Sequence, residues 1–253
     1  MARILLLALS VVLLGYGVAS AQLLEVEGRY WFSDLKASAQ VDGSLLQGTR
    51  VDFKDDLGLG DENLPELRVS IGLGPLGRLR AAYTRAMFEG TETLERTITF
   101  DDTTFAATMR VDSELELHYA RFGWIWQFPV VPGVFRIGPI IEAKGILAEA
   151  SIETRDITPR IRESATFPLL LPTIGVALDL TPHRAFHLFA EASGLPAGNL
   201  GHLVDAEAGI RVIPIRFLSV SAGYRIFDVR VEDDDDFGKF RLSGPFVGAS
   251  LRF

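Results

Sequence analysis

The sequence predicts an all-β protein that closes into one antiparallel, up-and-down transmembrane β-barrel of about ten strands. Three observations predict this fold: apolar and polar residues alternate along many segments, several of these segments are long, and breaks rich in Pro and Gly separate them. A period of two indicates strands, because successive side chains of a strand point to opposite faces. A tilted strand of about 9–11 residues crosses the hydrocarbon layer of a membrane.

The N-terminal segment predicts a secretory signal peptide in residues 1–21. Arg3 provides a positive start, Ile4–Leu14 is almost entirely apolar, and Ala19–Ala21 offers the small residues that signal peptidase requires. The apolar segment is too short to span a membrane. We therefore expect cleavage after Ala21 and a single outer-membrane barrel domain over residues 22–253.

Composition excludes several classes of protein. The 253 residues carry a net charge of −8 with no dense cluster of Lys and Arg, so nucleic acid is not an expected partner. There is no Cys, which excludes disulfides, a lipoprotein anchor and thiolate chemistry. The mean hydropathy is +0.22 although 23% of the residues are charged. A chain that is both apolar and charged must place the two kinds of residue on different faces.

Alternation is clearest in the segments 24–32, 64–74, 202–213 and 242–253. In the last of them Val247, Ala249, Leu251 and Phe253 share one face, and Gly248, Ser250 and Arg252 share the other. The second face is too charged for the core of a soluble β-sandwich. In a membrane every backbone polar group must pair within the protein, so the sheet must close. The apolar face then meets lipid and the charged face lines the lumen.

Turn residues predict the number of strands. Four short breaks contain Pro, which lacks a backbone N–H and suits turns better than central strands: 74–77, 129–133, 181–184 and 214–216. Five longer or more polar connections lie near 38–63, 100–105, 150–165, 195–201 and 232–239. Short periplasmic turns that alternate with longer outer loops give ten strands with both ends in the periplasm, although one misassigned hairpin would give eight or twelve. The expected strands are 23–37, 64–74, 77–99, 105–128, 134–149, 165–180, 185–194, 202–213, 216–231 and 239–253.

Aromatic residues predict an interfacial girdle at the periplasmic end. Phe128, Phe135, Phe186, Phe217 and Phe253 all lie near a predicted periplasmic turn or the C-terminus.

Trp124 and Trp126 lie at the same level, but they share the parity of Glu114 and Glu116, which we assign to the lumen. We therefore expect a β-bulge near Gly123 that returns both Trp side chains to the lipid.

The predicted lumen carries charges of both signs. About ten strands enclose a narrow interior, in which opposite charges should pair because an isolated buried charge is costly. A plug of salt bridges is the interpretation we favour, and a narrow channel is the alternative. The expected lumen-lining residues are Glu27, Arg29, Arg68, Arg80, Glu114, Glu116, Arg136, Glu142, Lys144, Glu191, Asp205, Glu207, Arg211 and Arg225.

Two features are expected outside the membrane. Strands three and four, over 77–128, are longer than a crossing needs, which predicts a β-ribbon that projects beyond the surface. Acidic clusters in the outer loops, at 55–62, 101–102 and 233–236, suggest Ca²⁺ or Mg²⁺ that bridges to lipopolysaccharide phosphates. The last cluster does not fit EF-hand spacing, because Phe237 occupies a ligand position. We favour solvated loops and expect no metal and no cofactor.

The C-terminal strand carries a resemblance to a known superfamily. Val247, Ala249, Leu251 and Phe253 are similar to the terminal signature of outer-membrane β-barrel proteins, in which alternating apolar residues end on a C-terminal Phe. Leu251 departs from the pattern, since an aromatic residue is common there. The resemblance implies the outer membrane of a Gram-negative cell, contact with outer-membrane lipid and lipopolysaccharide, and recognition of this strand by the barrel-assembly machinery. The chain resembles the small barrels of the outer-membrane protein A and W kind.

Catalysis is not expected, and no catalytic residue is predicted. Omptin-type proteases have ten strands and use acidic residues with a His at the outer rim, but His202 and Asp205 point to opposite faces of their strand. Barrel-type lipid A deacylases place His and Ser two residues apart, and no His here has Ser at that spacing. We favour a structural or surface-interaction barrel. A narrow porin-like channel for small solutes and a membrane hydrolase of the omptin or lipid-A-modifying kind are the alternatives.

Overall fold

The structure of this protein, a computed structural model, describes residues 24–40, 48–100, 103–156, 160–196, 201–233 and 236–253. The predicted signal peptide lies outside the described residues, as do Asp101, Asp102 and two of the acidic residues near 234. The described residues include no helix of the length and apolar character that a membrane crossing requires.

Ten long antiparallel strands form a closed barrel. Every strand pairs with the strands before and after it in the chain, and the first strand pairs with the last, so the topology is up-and-down. This confirms the predicted fold class and strand number. The strands are β1 (Leu24–Gln40), β2 (Glu62–Gly72), β3 (Arg78–Thr93), β4 (Arg110–Ile125), β5 (Phe135–Thr154), β6 (Arg162–His183), β7 (Phe186–Pro196), β8 (Gly201–Ile215), β9 (Leu218–Asp233) and β10 (Asp236–Arg252).

Short and long connections lie at opposite ends of the barrel, here called the turn end and the loop end. The connections of the turn end include a 3-10 turn over Gly74–Leu76 and a short strand, Phe128–Val131, that pairs with β5. The backbone N–H of Phe253 donates to Leu24 O at 2.8 Å, which places the C-terminus at the turn end as well. At the loop end, the strand Val51–Asp52 pairs with β1, and the strands Ile98–Phe100 and Thr103–Phe105 pair with each other.

The outward face of the barrel carries an apolar belt. Its side chains come from every barrel strand, and Leu170 and Ile174 of β6 are 75% and 70% exposed. An exposed apolar surface of this extent is expected where lipid replaces water. Towards the loop end the outward face becomes charged: on β4 the exposed Phe122 lies in the belt, and Glu116 follows closer to the loop end.

Trp124 and Trp126 lie on the outward face without any bulge. The pairing of β4 with β3 and with β5 continues through Gly123 without a shift of register, so the predicted bulge is wrong. The two indole rings stack at 5.5 Å between their centroids, and each donates a hydrogen bond to the turn end, at Leu76 O and Pro75 O. They belong to the aromatic girdle that the sequence predicts.

The projecting ribbon predicted over 77–128 is wrong in its outer part. Strand β3 ends at Thr93 and strand β4 begins at Arg110. The segment between them does not continue the two-stranded ribbon. Leu94 and Ile98 are at most 2% exposed, and Phe105 is fully buried in the same apolar cluster as inward-facing residues of the barrel. The hairpin thus folds over the barrel mouth, where its apolar residues are buried against inward-facing residues of the strands.

Candidate functional site

The barrel interior contains a layer of paired charges, here called the charged layer. Its members come from eight of the ten strands, and nearly all are buried. Each is in an ion pair with another member of the layer. The layer consists of Glu27, Arg29, Glu66, Arg68, Arg80, Arg121, Glu142, Lys144, Glu191, Asp205, Glu207 and Arg225.

Asp205 of β8 is one centre of this layer. Its carboxylate accepts hydrogen bonds from Arg225 at 2.9 and 3.0 Å, from Lys144 Nζ at 2.9 Å and from Arg121 at 3.2 Å. The phenol of Tyr119 donates a further hydrogen bond at 2.8 Å. One carboxylate therefore links strands β4, β5, β8 and β9 across the lumen, and both of its oxygens accept hydrogen bonds.

Glu207 and Glu66 form the neighbouring part of the layer. Glu207 accepts hydrogen bonds from Arg29 at 3.0 and 3.1 Å and from Arg68 at 2.8 and 2.5 Å. Glu66 pairs with Arg68 and accepts from Arg225 at 2.5 Å. Forked guanidinium groups suit such bridging because each can donate to two carboxylates at once.

Glu142 extends the layer to β5. It lies 2.8 Å from Arg80 Nη2 and 3.2 Å from Lys144 Nζ, and Arg80 also donates to Glu191 at 2.5 Å. Gly123 of β4 makes room for this carboxylate: a Cβ at that position would lie 2.4 Å from Glu142 Cγ. The charged layer therefore requires Gly at position 123, because any side chain there would clash with Glu142.

A second layer of the interior, nearer the loop end, is apolar. Inward-facing apolar residues of most barrel strands pack there against residues from the loops, and we call this the apolar plug. The strands supply Trp31, Leu35, Leu64, Phe88, Val111, Leu115, Leu117, Ile152, Leu203, Phe227, Val229, Leu242 and Phe246. The loops supply Val51, Phe53, Leu57, Leu59, Leu94, Ile98 and Phe105.

The segment 48–61 enters the barrel mouth. Its Phe53 N–H donates to Ala37 O of β1 at 2.9 Å. On the opposite side, Gly90 of β3 lies so close to this segment that a Cβ there would be 2.4 Å from Leu57 O. The segment is therefore in contact with β1 and β3 at once, which fixes it within the mouth.

Ion pairs hold the two plug-forming loops together at their exposed rim. Arg96 of the hairpin lies 2.6 Å from Asp56, and it also donates to Arg50 O at 2.7 Å. Partial burial alone would raise the pKa of Asp56, but the hydrogen bonds from Arg96 and from the Asp52 backbone hold it below its ordinary value. Lys54 bridges within the first loop, to Asp61 at 2.9 Å.

The two layers leave little free space within the lumen. A cavity among the charges of the turn end, lined in part by Arg211 and Glu27, measures about 20 Å³. This is roughly the space that one water molecule needs. Farther towards the loop end, the apolar plug lies across the lumen.

Most predicted lumen residues lie in the interior. Two are less enclosed: Arg211 lines the small cavity with its guanidinium 5.3 Å from the Phe189 ring centroid, and Arg136 lies at the turn-end rim, half-exposed and 3.8 Å from Asp179. The enclosed residues are Glu27, Arg29, Arg68, Arg80, Glu142, Lys144, Glu191, Asp205, Glu207 and Arg225.

Glu114 and Glu116 are corrected to the outward face. On β4 the inward residues are the odd-numbered ones, including the buried Leu115 and Leu117, and the even-numbered ones face outward. Glu116 pairs there with Arg85 at 2.5 Å. The physical reason is that this part of β4 lies beyond the belt, where water covers the outside and the inside forms an apolar core.

Sequence reasoning missed one residue of the charged layer, Arg121, and the whole apolar plug. Arg121 lies at the centre of the charged layer, and the apolar residues on either side of it, Ala120 and Phe122, were the signal that it points inward. The apolar plug had no signal of its own, because its loop residues are distant in sequence from the strands that they contact.

Three of the described His residues pair with a carboxylate. His118 Nε2 lies 3.1 Å from Glu116 and His202 Nε2 lies 3.4 Å from Asp228, both on the outward face. His187 lies at the turn end, where its Nδ1 is 3.3 Å from Asp179.

A Thr hydroxyl completes a partial resemblance to a triad at His187. Thr181 Oγ1 lies 3.1 Å from His187 Nδ1, the same nitrogen that contacts Asp179. A nucleophilic triad uses the two imidazole nitrogens for different partners, one for the hydroxyl and one for the acid. In this arrangement the hydroxyl and the acid both contact Nδ1, so it does not have the geometry of a triad.

Comparisons with known proteins show the fold. No protein-family model and no curated protein sequence matches this chain. Among solved structures, the outer membrane protease OmpT from Escherichia coli is similar with a TM-score of 0.64 and 7% identity, over 91% of this chain and 97% of that one. The translocator domain of the autotransporter NalP from Neisseria meningitidis covers 100% of this chain and 95% of its own, with a TM-score of 0.48 and 14% identity. The chain has the fold of outer-membrane β-barrels.

Proposed function

We propose that this protein is an integral outer-membrane barrel with a closed lumen, whose role is structural or lies in interactions at the cell surface. The observation that carries the proposal is the double closure of the interior by the charged layer and the apolar plug. In this arrangement the chemistry available to a partner lies on the outside of the barrel and on the loops.

The physical chemistry of the two layers opposes conduction. An ion that entered from the turn end would have to replace charge-assisted hydrogen bonds such as those of Asp205 and Glu207. It would then meet the apolar plug, where a desolvated ion has no polar partner. The two barriers act in series, so opening one of them does not open the lumen.

Single-channel recording in a planar bilayer tests the closed lumen. The refolded protein should give no steady openings, whereas a known porin reconstituted in the same bilayer gives them. Heat-modifiable migration on a denaturing gel shows that the barrel is folded before each recording. A variant in which a short Gly-Ser linker replaces 49–60 should also stay silent, because the charged layer is intact.

The narrow channel for small solutes is the alternative that this experiment decides. It predicts steady ohmic openings that a bulky substitution, Arg211→Trp, abolishes, because Arg211 lines the small cavity among the charges. Such openings in the unaltered protein would overturn the proposal. An Arg211→Lys variant, which keeps the charge, is the matched control for that outcome.

A membrane hydrolase is the less favoured alternative, and we propose that the protein is not an enzyme. His118 and His202 each pair with a carboxylate on the outward face, but among the hydrogen bonds of the described residues neither has a Ser or Thr hydroxyl as a partner. Hydrolysis of a peptide or an acylated glycolipid by the refolded barrel would contradict this, if His202→Ala or His118→Ala abolished it while the gel shift persisted.

Two partners follow from the proposal. Outer-membrane lipid and lipopolysaccharide would cover the apolar belt and meet the outward charges above it. The barrel-assembly machinery would read the last strand, β10, which ends beside the exposed Phe253 and pairs with β1 to close the barrel.

A further inference from the structure

Arg211 of β8 differs from the cations of the charged layer, each of which is in an ion pair. It lines the cavity of about 20 Å³ at the turn end. In the described part of the chain its guanidinium is in no hydrogen bond and no ion pair, and its Nε–H is buried without an acceptor. The guanidinium carbon lies 5.3 Å from the centroid of the Phe189 ring, whose face attracts a cation but does not neutralise it.

The carboxylates around this cavity are already ion-paired with other cations. Five carboxylates line the cavity: Glu25, Glu27, Asp179, Glu191 and Glu207. Their partners are six cations: Arg29, Arg68, Arg78, Arg80, Arg136 and Arg252. Arg211 is the seventh cation, and it acts on Glu25 and Glu27 only at longer range. Seven cations therefore share five carboxylates at this end of the described interior.

The rest of the charged layer does not compensate for this excess. It consists of three carboxylates and three cations that pair with one another, namely Glu66, Glu142, Asp205, Arg121, Lys144 and Arg225. Arg68 also contacts Glu66 and Arg80 also contacts Glu142, but sharing of this kind does not change the sum of the charges. The excess of positive charge therefore belongs to the surroundings of the cavity.

Donors without acceptors surround the same cavity. Besides Arg211, the lining residues Arg78 and Arg80 each have a buried Nε–H without a hydrogen-bond acceptor in the described structure. A buried donor that has lost water and gained no acceptor costs free energy. An anion in the cavity would accept hydrogen bonds there and would also supply the negative charge that the carboxylates do not.

The size and position of the cavity limit what that anion can be. A volume of about 20 Å³ is roughly the space that one water molecule needs, which admits a monatomic anion but not a tetrahedral oxyanion. Arg78 is the first residue of β3 after the turn, and its side chain is 27% exposed, so water reaches this end of the lumen. Chloride is the common anion of this size in water.

We propose that the turn-end cavity is a binding site for a monatomic anion, chloride, held chiefly by the guanidinium of Arg211. The site goes beyond the proposed structural or surface role. It lies at the end of the lumen opposite to the apolar plug and does not depend on a closed lumen. Openings in a planar bilayer would therefore overturn the proposed function and leave this site untouched.

Chlorine nuclear magnetic resonance tests the site. The resonance of chloride broadens when the ion exchanges with a site on a large, slowly tumbling particle, so the refolded barrel in non-ionic detergent is compared with detergent alone. We expect extra broadening from the unaltered protein and its loss in Arg211→Gln. Gel migration shows that both proteins are folded. The absence of extra broadening from the unaltered protein would overturn the proposal.

The matched control is Arg184→Gln, in the turn between β6 and β7. Arg184 is exposed at the same end of the barrel and does not line the cavity. The variant removes one cation, as Arg211→Gln does, but should broaden the chloride resonance as much as the unaltered protein. An equal loss in both variants would contradict a site, since it would reflect net charge alone.

Competing anions test the size of the ligand on the unaltered protein, so this experiment does not require any variant to fold. Bromide, another monatomic anion, should narrow the broadened chloride line. Sulfate and phosphate at the same concentration should leave it broad, because they are too large for the cavity. Displacement by sulfate or phosphate as effective as that by bromide would overturn the assignment to a monatomic anion.

Urea unfolding provides a readout of the binding free energy. A ligand that binds only the folded state stabilises it, so replacing gluconate by chloride at constant ionic strength should raise the urea midpoint of the unaltered protein. In gluconate Arg211→Gln should be at least as stable as the unaltered protein, because it removes an enclosed cation that lacks a counter-ion. Chloride should not raise the midpoint of this variant, and an equal rise in both proteins would contradict binding at Arg211.

Discussion

The charged layer and the apolar plug fill the same barrel by opposite means. In the charged layer, buried side chains such as Arg225 and Asp205 are held by directional hydrogen bonds across the lumen. In the plug, side chains such as Phe88 and Phe105 are held by close packing alone. Both layers fill the interior, but only the first contains buried charges that need one another as partners.

The difference follows from what surrounds each layer. Around the charged layer the outside is lipid, so the apolar residues of each strand face outward and the polar ones must face in. Beyond the belt the outside is water, and there the apolar side chains of the same strands face inward and the charged ones face outward. On β4, Phe122 faces lipid within the belt, whereas Leu115 and Leu117 face the interior beyond it.

The largest expected effect is in the charged layer. Asp205→Ala leaves Arg225, Lys144 and Arg121 buried without their shared carboxylate. Breaking a buried ion pair from one side costs about 3–5 kcal/mol, because the remaining charges stay desolvated. The free energy of unfolding, measured by urea titration of the barrel in detergent, should fall by that amount.

The matched control is an exposed ion pair of the same chemistry. Glu153→Ala removes the partner of Arg160 at the loop end, where water solvates what remains. Exposed pairs contribute little because water solvates both charges, so the loss should be several-fold smaller than that of Asp205→Ala. Similar small losses in both would show that the charged layer is not held by its pairs.

A smaller effect is expected in the apolar plug. Leu59→Ala removes a side chain of the first loop that is 2% exposed. Leu→Ala in a core costs about 2–5 kcal/mol, and the lower part of this range is expected because a loop can collapse around the cavity. Urea unfolding measures the loss, and limited proteolysis between 48 and 61 should become faster.

The control for the plug is Leu76→Ala in the 3-10 turn at the opposite end. Leu76 is 59% exposed, so its removal should change the free energy of unfolding by less than about 0.5 kcal/mol. If Leu59→Ala were equally mild and left proteolysis unchanged, the first loop would not be part of the core.

The fold was predictable from the sequence because its signals are local. Each predicted Pro-containing break overlaps a turn of the barrel, although Pro182 and Pro214 themselves lie in the last residues of β6 and β8. Alternation placed the interior charges Arg29, Glu207 and Arg225 correctly. These inferences require only the period of a strand and the rule that lipid faces apolar residues.

The candidate site was predictable only in part. The direction of some side chains depends on whether they lie within the apolar belt or beyond it, and the apolar plug depends on contacts between residues that are distant in sequence. Glu116 and Glu207 both lie in segments that alternate regularly between apolar and polar residues. Nothing in the local pattern shows that Glu116 lies beyond the belt and Glu207 within it. The contact of Leu57 with Gly90 joins a loop to a strand that the sequence treats as separate. The same holds for Arg96 and Asp56, which lie 40 residues apart.

The smallest expected effect concerns that pair, at the rim of the plug. The pKa of Asp56 is held below its ordinary 3.8 by Arg96, so the pair stabilises the loops above about pH 4, and the stabilisation is lost as the pH falls through the lowered pKa. Asp56→Asn removes it at every pH. Because the pair is partly exposed, the effect should be below about 1 kcal/mol.

Amide hydrogen exchange of residues 50–59 measures this effect directly. At pH 6 the unaltered protein should exchange more slowly than Asp56→Asn, and the difference should shrink as the pH falls through the lowered pKa of Asp56. Asp55→Asn, at the exposed neighbouring position, should match the unaltered protein at both pH values. A difference of constant size as the pH falls from 6 to well below 3.8 would contradict the prediction, because it would not depend on the charge of Asp56.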